Sequence, residues 1–108
     1  MKKQYRLRKN EEFQSIIQKK RFFSCPAFVI YYVKKKEEYS RFGISVGKKY
    51  GKAPQRNKAK RQVRMMLQEL NATQYSFDAV IIIRSAYNQL DYETNKKHLE
   101  SLLKKVTM

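Results

Sequence analysis

The stretch Gly47-Lys48-Lys49-Tyr50-Gly51-Lys52-Ala53-Pro54-Gln55-Arg56-Asn57-Lys58-Ala59-Lys60-Arg61-Gln62-Val63-Arg64-Met65-Met66-Leu67-Gln68-Glu69-Leu70 decides how this chain is read. Two glycines bracket a loop, Pro54 stands near a helix start, and Gln55 to Leu70 is the clearest helix in the sequence. At about 100° per residue, Ala59, Val63, Met66, Leu67 and Leu70 share one apolar face. Arg56, Lys60 and Arg64 follow one another at i, i+4 and i+8 along a line beside that face. Asn57 and Arg61 form a second line next to it. One side of the helix is therefore committed to a core while its flank presents cations.

The charge pattern is one-sided. From Tyr39 to Gln68 there is no acidic residue, and those thirty positions hold nine basic ones: Arg41, Lys48, Lys49, Lys52, Arg56, Lys58, Lys60, Arg61 and Arg64. A solvated helix normally mixes signs, with Glu four residues before Lys. Arg forks match phosphate oxygens, Lys supplies a mobile point charge, and Asn57 offers both a donor and an acceptor. The glycines let backbone approach a ligand. Gly51-Lys52 lacks the Gly-x-x-x-x-Gly-Lys-[Ser/Thr] spacing of a phosphate loop, which excludes that mode of nucleotide binding.

Working outward, Phe77 to Ile83 reads as a strand whose Val80-Ile81-Ile82-Ile83 run predicts a central place covered on both faces. Upstream, Ala27 to Val33 is β-branched and aromatic and reads as a strand after Pro26. Arg41 to Val46 alternates as a half-buried strand. These two, joined by a charged turn over Lys34 to Ser40, predict a hairpin. Asn10 is a candidate N-cap for a short helix with Glu11 and Glu12 in its first turn and Phe13, Ile16 and Ile17 on one face. Asp91 caps a last helix with Asn95, Leu99, Leu102, Leu103 and Val106 on one stripe. A basic arm runs from Lys2 to Lys9. Helices and strands in this order predict an α+β sandwich, and the length suits one domain over residues 1–108.

The whole chain carries a formal charge of +16, from 25 Lys and Arg against nine Asp and Glu. So much like charge repels itself in a compact state and calls for a polyanionic partner. No apolar run approaches the ~20 residues of a membrane-spanning helix, so nucleic acid is favoured over a membrane. The first residues lack the apolar stretch of a secretion signal, and the single Cys25 fits a reducing compartment. A cytoplasmic protein is expected.

The chemistry of a protein nuclease is missing. There is one histidine, His98, expected on the outer or flanking face of the last helix, and the acids are scattered. Asp91 and Glu93 are the only acidic pair near a strand end, and the cap role explains Asp91. No Cys/His spacing suggests zinc, and no catalytic residue of the protein is expected.

The residues then resemble a known family. Gly43-Ile44-Ser45-Val46-Gly47-Lys48-Lys49, Gly51-Lys52-Ala53 and Arg56-Asn57-Lys58-Ala59-Lys60-Arg61-Gln62-Val63-Arg64 resemble the signature of the bacterial ribonuclease P protein subunit. Tyr5-Arg6-Leu7-Arg8, Glu12-Phe13, Phe28-Val29-Ile30-Tyr31 and Asp78 to Arg84 match it in order. The resemblance implies an α-β-β-β-α-β-α fold with a four-stranded sheet, a left-handed βαβ crossover through the basic helix, and a short first strand near Lys20 to Ser24. It implies a ribonucleoprotein that removes the 5′ leader from precursor tRNA. A catalytic RNA carries the magnesium-dependent chemistry, and no cofactor is bound by the protein. Arg56, Asn57, Lys58, Lys60, Arg61 and Arg64 would face the catalytic RNA, and the basic run adds Lys48, Lys49 and Lys52 as RNA-binding residues. Phe13, Ile17, Tyr31, Lys60 and Arg64 would form the leader cleft. In this chain Ile17 stands where many relatives carry an aromatic, Lys20 where Gly is usual, Pro54 where an aliphatic residue is usual, and Lys58 where Arg is more frequent.

Two other classes share part of this pattern. An architectural RNA binder such as a ribosomal protein would also be basic and α+β. A helix-turn-helix DNA reader needs two adjacent helices joined by a short turn, which the strand-rich order disfavours.

Overall fold

A computed structural model describes residues 2–107. Helix α1 (Asn10–Gln18) is followed by β1 (Phe22–Ser24), β2 (Phe28–Lys34), β3 (Phe42–Val46), α2 (Ala53–Glu69), β4 (Phe77–Ile83) and α3 (Tyr92–Thr107). The four strands form one sheet in the order β1-β2-β4-β3. This is the expected α-β-β-β-α-β-α sequence of elements. The short first strand lies at Phe22–Ser24, inside the expected range.

The expected hairpin between β2 and β3 does not form. Strand β4 lies between them, antiparallel to β2 and parallel to β3. The physical reason lies in β4 itself. Val80, Ile81 and Ile83 are buried, from both faces of the strand, and only an interior slot covers both. A local β2–β3 hairpin would leave this most apolar strand on an edge, with its backbone exposed. The β3–α2–β4 unit is the parallel crossover that places it.

The sheet divides the interior. On one face Phe28, Ile30, Phe42, Ile81 and Ile83 pack with Val63, Met66 and Leu67 of α2 and with Leu99, Leu102 and Leu103 of α3. On the other, Leu7, Ile16 and Val80 form a smaller cluster with half-buried Phe13, Ile17, Tyr31, Val33 and Ile82 around them. Helix α1 closes this second face only in part.

Local signals set the helix ends, with one shift. Asn10 is the first residue of α1, and the cap position falls on Lys9, whose carbonyl accepts from the Glu12 and Phe13 N–H groups at 3.1 and 3.3 Å. Pro54 lies in the first turn of α2, where its missing N–H costs nothing. The Lys52 N–H donates to Gln55 Oε1 at 2.7 Å, half of a capping box. Gly51 is needed for that contact: its φ is +158°, and a Cβ there would lie 2.4 Å from Gln55 Oε1. The loop glycine thus makes room for a cap within the protein. Asn71, at φ 53°, ends α2 in the left-handed region. Lys20 also sits there at φ 57°, so the turn after α1 is held under strain. Asp91 Oδ1 accepts from the Thr94 N–H at 2.8 Å, as expected of a cap on α3.

A polar tie fixes α1 to the sheet. Asp78 is 1% exposed and accepts the Arg41 backbone N–H at 2.8 Å and its guanidinium at 3.2 Å. The same guanidinium reaches Glu12 of α1 at 2.9 Å. Burial pulls the Arg41 pKa down, but the two carboxylates outweigh it and hold it above its ordinary value. Among the described residues no helix is long and apolar enough to cross a membrane.

Candidate nucleic-acid interface

Helix α2 is anchored by Ala59, Val63, Met66 and Leu67, all buried, with Leu70 half-buried at its end. This is the apolar face expected from the spacing. Rotation about the axis then sends the cations to different neighbours. Lys60 borders a groove with Phe13 and Asn10 of α1, Arg8 of the N-terminal segment, and Ser45 and Val46 of β3. Arg61 and Arg64 instead meet Arg6 and Gln68 in a separate cleft. Lys58 turns to the opposite flank, toward Tyr50, Tyr87 and Asn88. Lys48 and Lys49 lie in a 3-10 turn before α2, and with Lys52, Asn57, Lys58 and Arg61 they are exposed.

The N-terminal segment contributes two cations to this surface. Leu7 is buried, and its N–H donates to the Phe42 carbonyl at 2.9 Å. Arg6 bridges Phe42 in parallel alignment. Leu7 thus pins the arm to the free edge of β3, which brings Arg6 to Arg64 and Arg8 to the groove beside Lys60. Burial, and then the neighbouring Arg6, lower the Arg64 pKa. The Nε atoms of Arg6 and Arg56 are shielded from solvent and have no hydrogen-bond partner among the described residues. Arg6, Arg61 and Arg64 bring like charges together in one cleft, where an external anion such as phosphate would offset their repulsion. Arg6 and Arg8 were legible only as part of a basic arm. The signal that places them is the alternation Arg6-Leu7-Arg8, a short strand pattern with cations around an anchor.

The proposed cleft aromatics share one surface. Strand register aligns Gly43 of β3, Val80 of β4, Tyr31 of β2 and Phe22 of β1 in a single row across the sheet. Phe13 lies over the Gly43 end of this row: a Cβ on Gly43 would come within 2.4 Å of its ring. Ile17 and Tyr31 pack against the same cluster as Phe13. Lys60 joins this surface at the groove. Arg64 does not line that groove and belongs with Arg6 and Arg61.

The donor set consists of guanidinium, ammonium, amide and aromatic groups, which suits an anion with bases. Among the described residues no three His, Cys, Asp or Glu side chains gather to hold a metal ion. His98 is half-buried on α3 and lines none of the basic clefts described above.

Comparison with known proteins identifies the family. The family model described as Ribonuclease P matches residues 1–107. The chain is 48% identical over 105 residues to the ribonuclease P protein component of Mesoplasma florum, covering 95% of this chain and 96% of that one. It is 41% identical over 104 residues to the corresponding component of Streptococcus equi subsp. equi, covering 96% and 87%. Among solved structures, the RNase P protein of Staphylococcus aureus superposes with a TM-score of 0.85 at 33% identity, covering 94% of each chain. That of Thermotoga maritima gives 0.82 at 34% identity, covering 93% and 96%. Sequence and fold agree over nearly the full length, and the chain belongs to the ribonuclease P protein family.

Proposed function

We propose that this protein is the protein subunit of a ribonuclease P ribonucleoprotein, which removes the 5′ leader from precursor tRNA. The observation that carries the reading is the division of one helix between two surfaces. Arg61 and Arg64 meet Arg6 in one cleft, while Lys60 closes a groove beside Phe13. The first surface, extended by Lys48, Lys49, Lys52, Arg56 and Asn57, docks on the catalytic RNA, and Lys58 reaches the same RNA from the opposite flank of the helix. The second holds the single-stranded leader, with phosphates on Arg8 and Lys60 and bases against Phe13, Ile17 and Tyr31. Single strands are held in this way elsewhere, by a cationic track beside aromatic faces.

The protein's part is binding and orientation. Holding the leader next to the ribozyme raises the local concentration of substrate at the RNA active site. Cations near the leader and RNA phosphates reduce the repulsion between two polyanions, so fewer free magnesium ions are needed to bring them together. The magnesium ions of the reaction belong to the RNA. The working compartment is the cytoplasm.

Binding selectivity tests this reading. In a titration against a bacterial ribonuclease P RNA and against ribosomal RNA at several salt concentrations, the protein is expected to prefer the first. Its affinity should fall by orders of magnitude from low to moderate salt. A preference for ribosomal RNA would favour an architectural role, and a flat salt response would contradict phosphate docking.

A further inference from the structure

We propose that Phe22 is a stacking subsite for one further base of single-stranded RNA, at the far end of the aromatic row on the α1 face of the sheet. This rests on the leader-binding reading above and extends it by one residue. Phe22 is 51% exposed, on the edge strand β1. A Phe side chain held half in water forgoes about half of the stabilisation its full burial would give. It is also not an isolated surface residue. Its ring centroid lies 5.3 Å from that of Tyr31, tilted by 40°. Tyr31 in turn packs against the cluster that holds Phe13 and Ile17.

The register gives the path. Gly43, Val80, Tyr31 and Phe22 are cross-strand neighbours in one row, so their side chains point to the same face. Adjacent strands lie about 4.8 Å apart, which puts Phe22 roughly 14 Å from the strand under Phe13. Ile17 offers no ring between them, and the next π-face after Tyr31 is Phe22. The neighbouring row on this face is Ser45, Ile82, Val29 and Ser24, none of them fully buried, so the sheet is open beside the track. A sheet face with two or three accessible rings is a known platform for unstacked bases.

Charge complementarity names the occupant. Lys19, Lys20 and Arg21 lead directly into Phe22, are exposed, and form no ion pair among the described residues. An apolar partner would not call for three cations at the rim. A strand that carries both phosphates and bases matches rings and cations together. The edge position of β1 would also admit a second copy of this chain, so the test separates the two.

The experiment uses the holoenzyme reconstituted with a bacterial ribonuclease P RNA and precursor tRNAs whose leaders are graded in length. Equilibrium affinity is measured for wild type, Phe22→Ala and Phe22→Tyr. Phe22→Ala is expected to weaken binding of long-leader substrates by about 5- to 150-fold. Short-leader and leaderless substrates should be unaffected, and Phe22→Tyr should restore binding. The side chain is half exposed, so the thermal midpoint of Phe22→Ala should stay close to wild type. If wild type gains affinity with leader length and Phe22→Ala gains it equally, this subsite is wrong while the cleft reading stands. If wild type shows no leader dependence, both fall. If wild type is a dimer by light scattering and Phe22→Ala is a monomer, the ring serves self-association and the proposal is overturned.

Discussion

The ring of Phe13 lies against the backbone of Gly43, so close that a methyl group at position 43 would sit 2.4 Å from the ring tip. Helix α1 can lie this low on β3 because Gly43 has no side chain. Gly43→Ala must therefore lift Phe13 or shift α1. It is expected to destabilise the fold by about 1–3 kcal/mol, as overpacking does. It should also weaken holoenzyme binding of leader-bearing precursor tRNA more than binding of the ribozyme alone. Thermal unfolding and the two affinities check this; unchanged leader affinity would detach Phe13 from the cleft.

Arg6 and Arg64 show the opposite balance of stability and function. Two guanidinium groups face the same cleft, and the Arg64 pKa is lowered by burial and by Arg6. Arg64→Ala relieves that repulsion, so the thermal midpoint should hold or rise slightly. Affinity for ribonuclease P RNA should fall, and the slope of log affinity against log salt should become shallower by about one for each phosphate that the variant leaves unneutralised. Arg6→Ala should do the same. A collapse of the fold in either variant would assign these residues a structural role.

Asp78 is a structural acid. It is buried in the sheet and holds both the backbone and the side chain of Arg41, which also grips Glu12 of α1. Asp78→Ala leaves buried donors unmatched and should cost about 3 kcal/mol in denaturant unfolding. Arg41 retains Glu12, so α1 should remain helical by circular dichroism.

Two exposed carboxylates make the α3 region sensitive to acid. The Asp91 pKa is lowered by the hydrogen bonds from Thr94, first the backbone one. That of Glu69 is lowered by the Tyr92 hydroxyl, which donates to it at 2.6 Å, and by Lys96. A carboxyl group with a lowered folded pKa contributes stability above its unfolded pKa and loses it as pH falls through the folded value. Stability should therefore decline as pH drops below the ordinary carboxylate range. Asp91→Asn, which keeps a cap acceptor without a charge, should reduce that decline. Denaturant midpoints across pH measure both, and equal acid sensitivity in the variant would contradict the cap's role.

The parts of this fold that local pattern decides were legible in the sequence. The buried face of α2 follows from helical spacing, and the Asp91 cap from residue type. The interior position of β4 follows from its unbroken apolar run. Strand pairing was not legible locally. The β2–β3 hairpin looked favourable from proximity alone, and it fails because β4 competes for both partners with more apolar surface. The row from Gly43 to Phe22 joins residues from four strands, so no spacing in the sequence reveals it. Arg6 and Arg8 join the basic surface through the Leu7 anchor, again a long-range contact. At the start of α1 the Lys9 carbonyl takes the cap position one residue before Asn10, and residue type alone does not mark it.

In the proposed function this chain positions RNA chemistry that it does not perform. Leader removal from precursor tRNA is followed at low magnesium with bacterial ribonuclease P RNA alone, with the protein alone, and with both. The account predicts little cleavage by either component alone and a strong stimulation when they are combined. No stimulation of the RNA, or cleavage by the protein without it, would contradict the account.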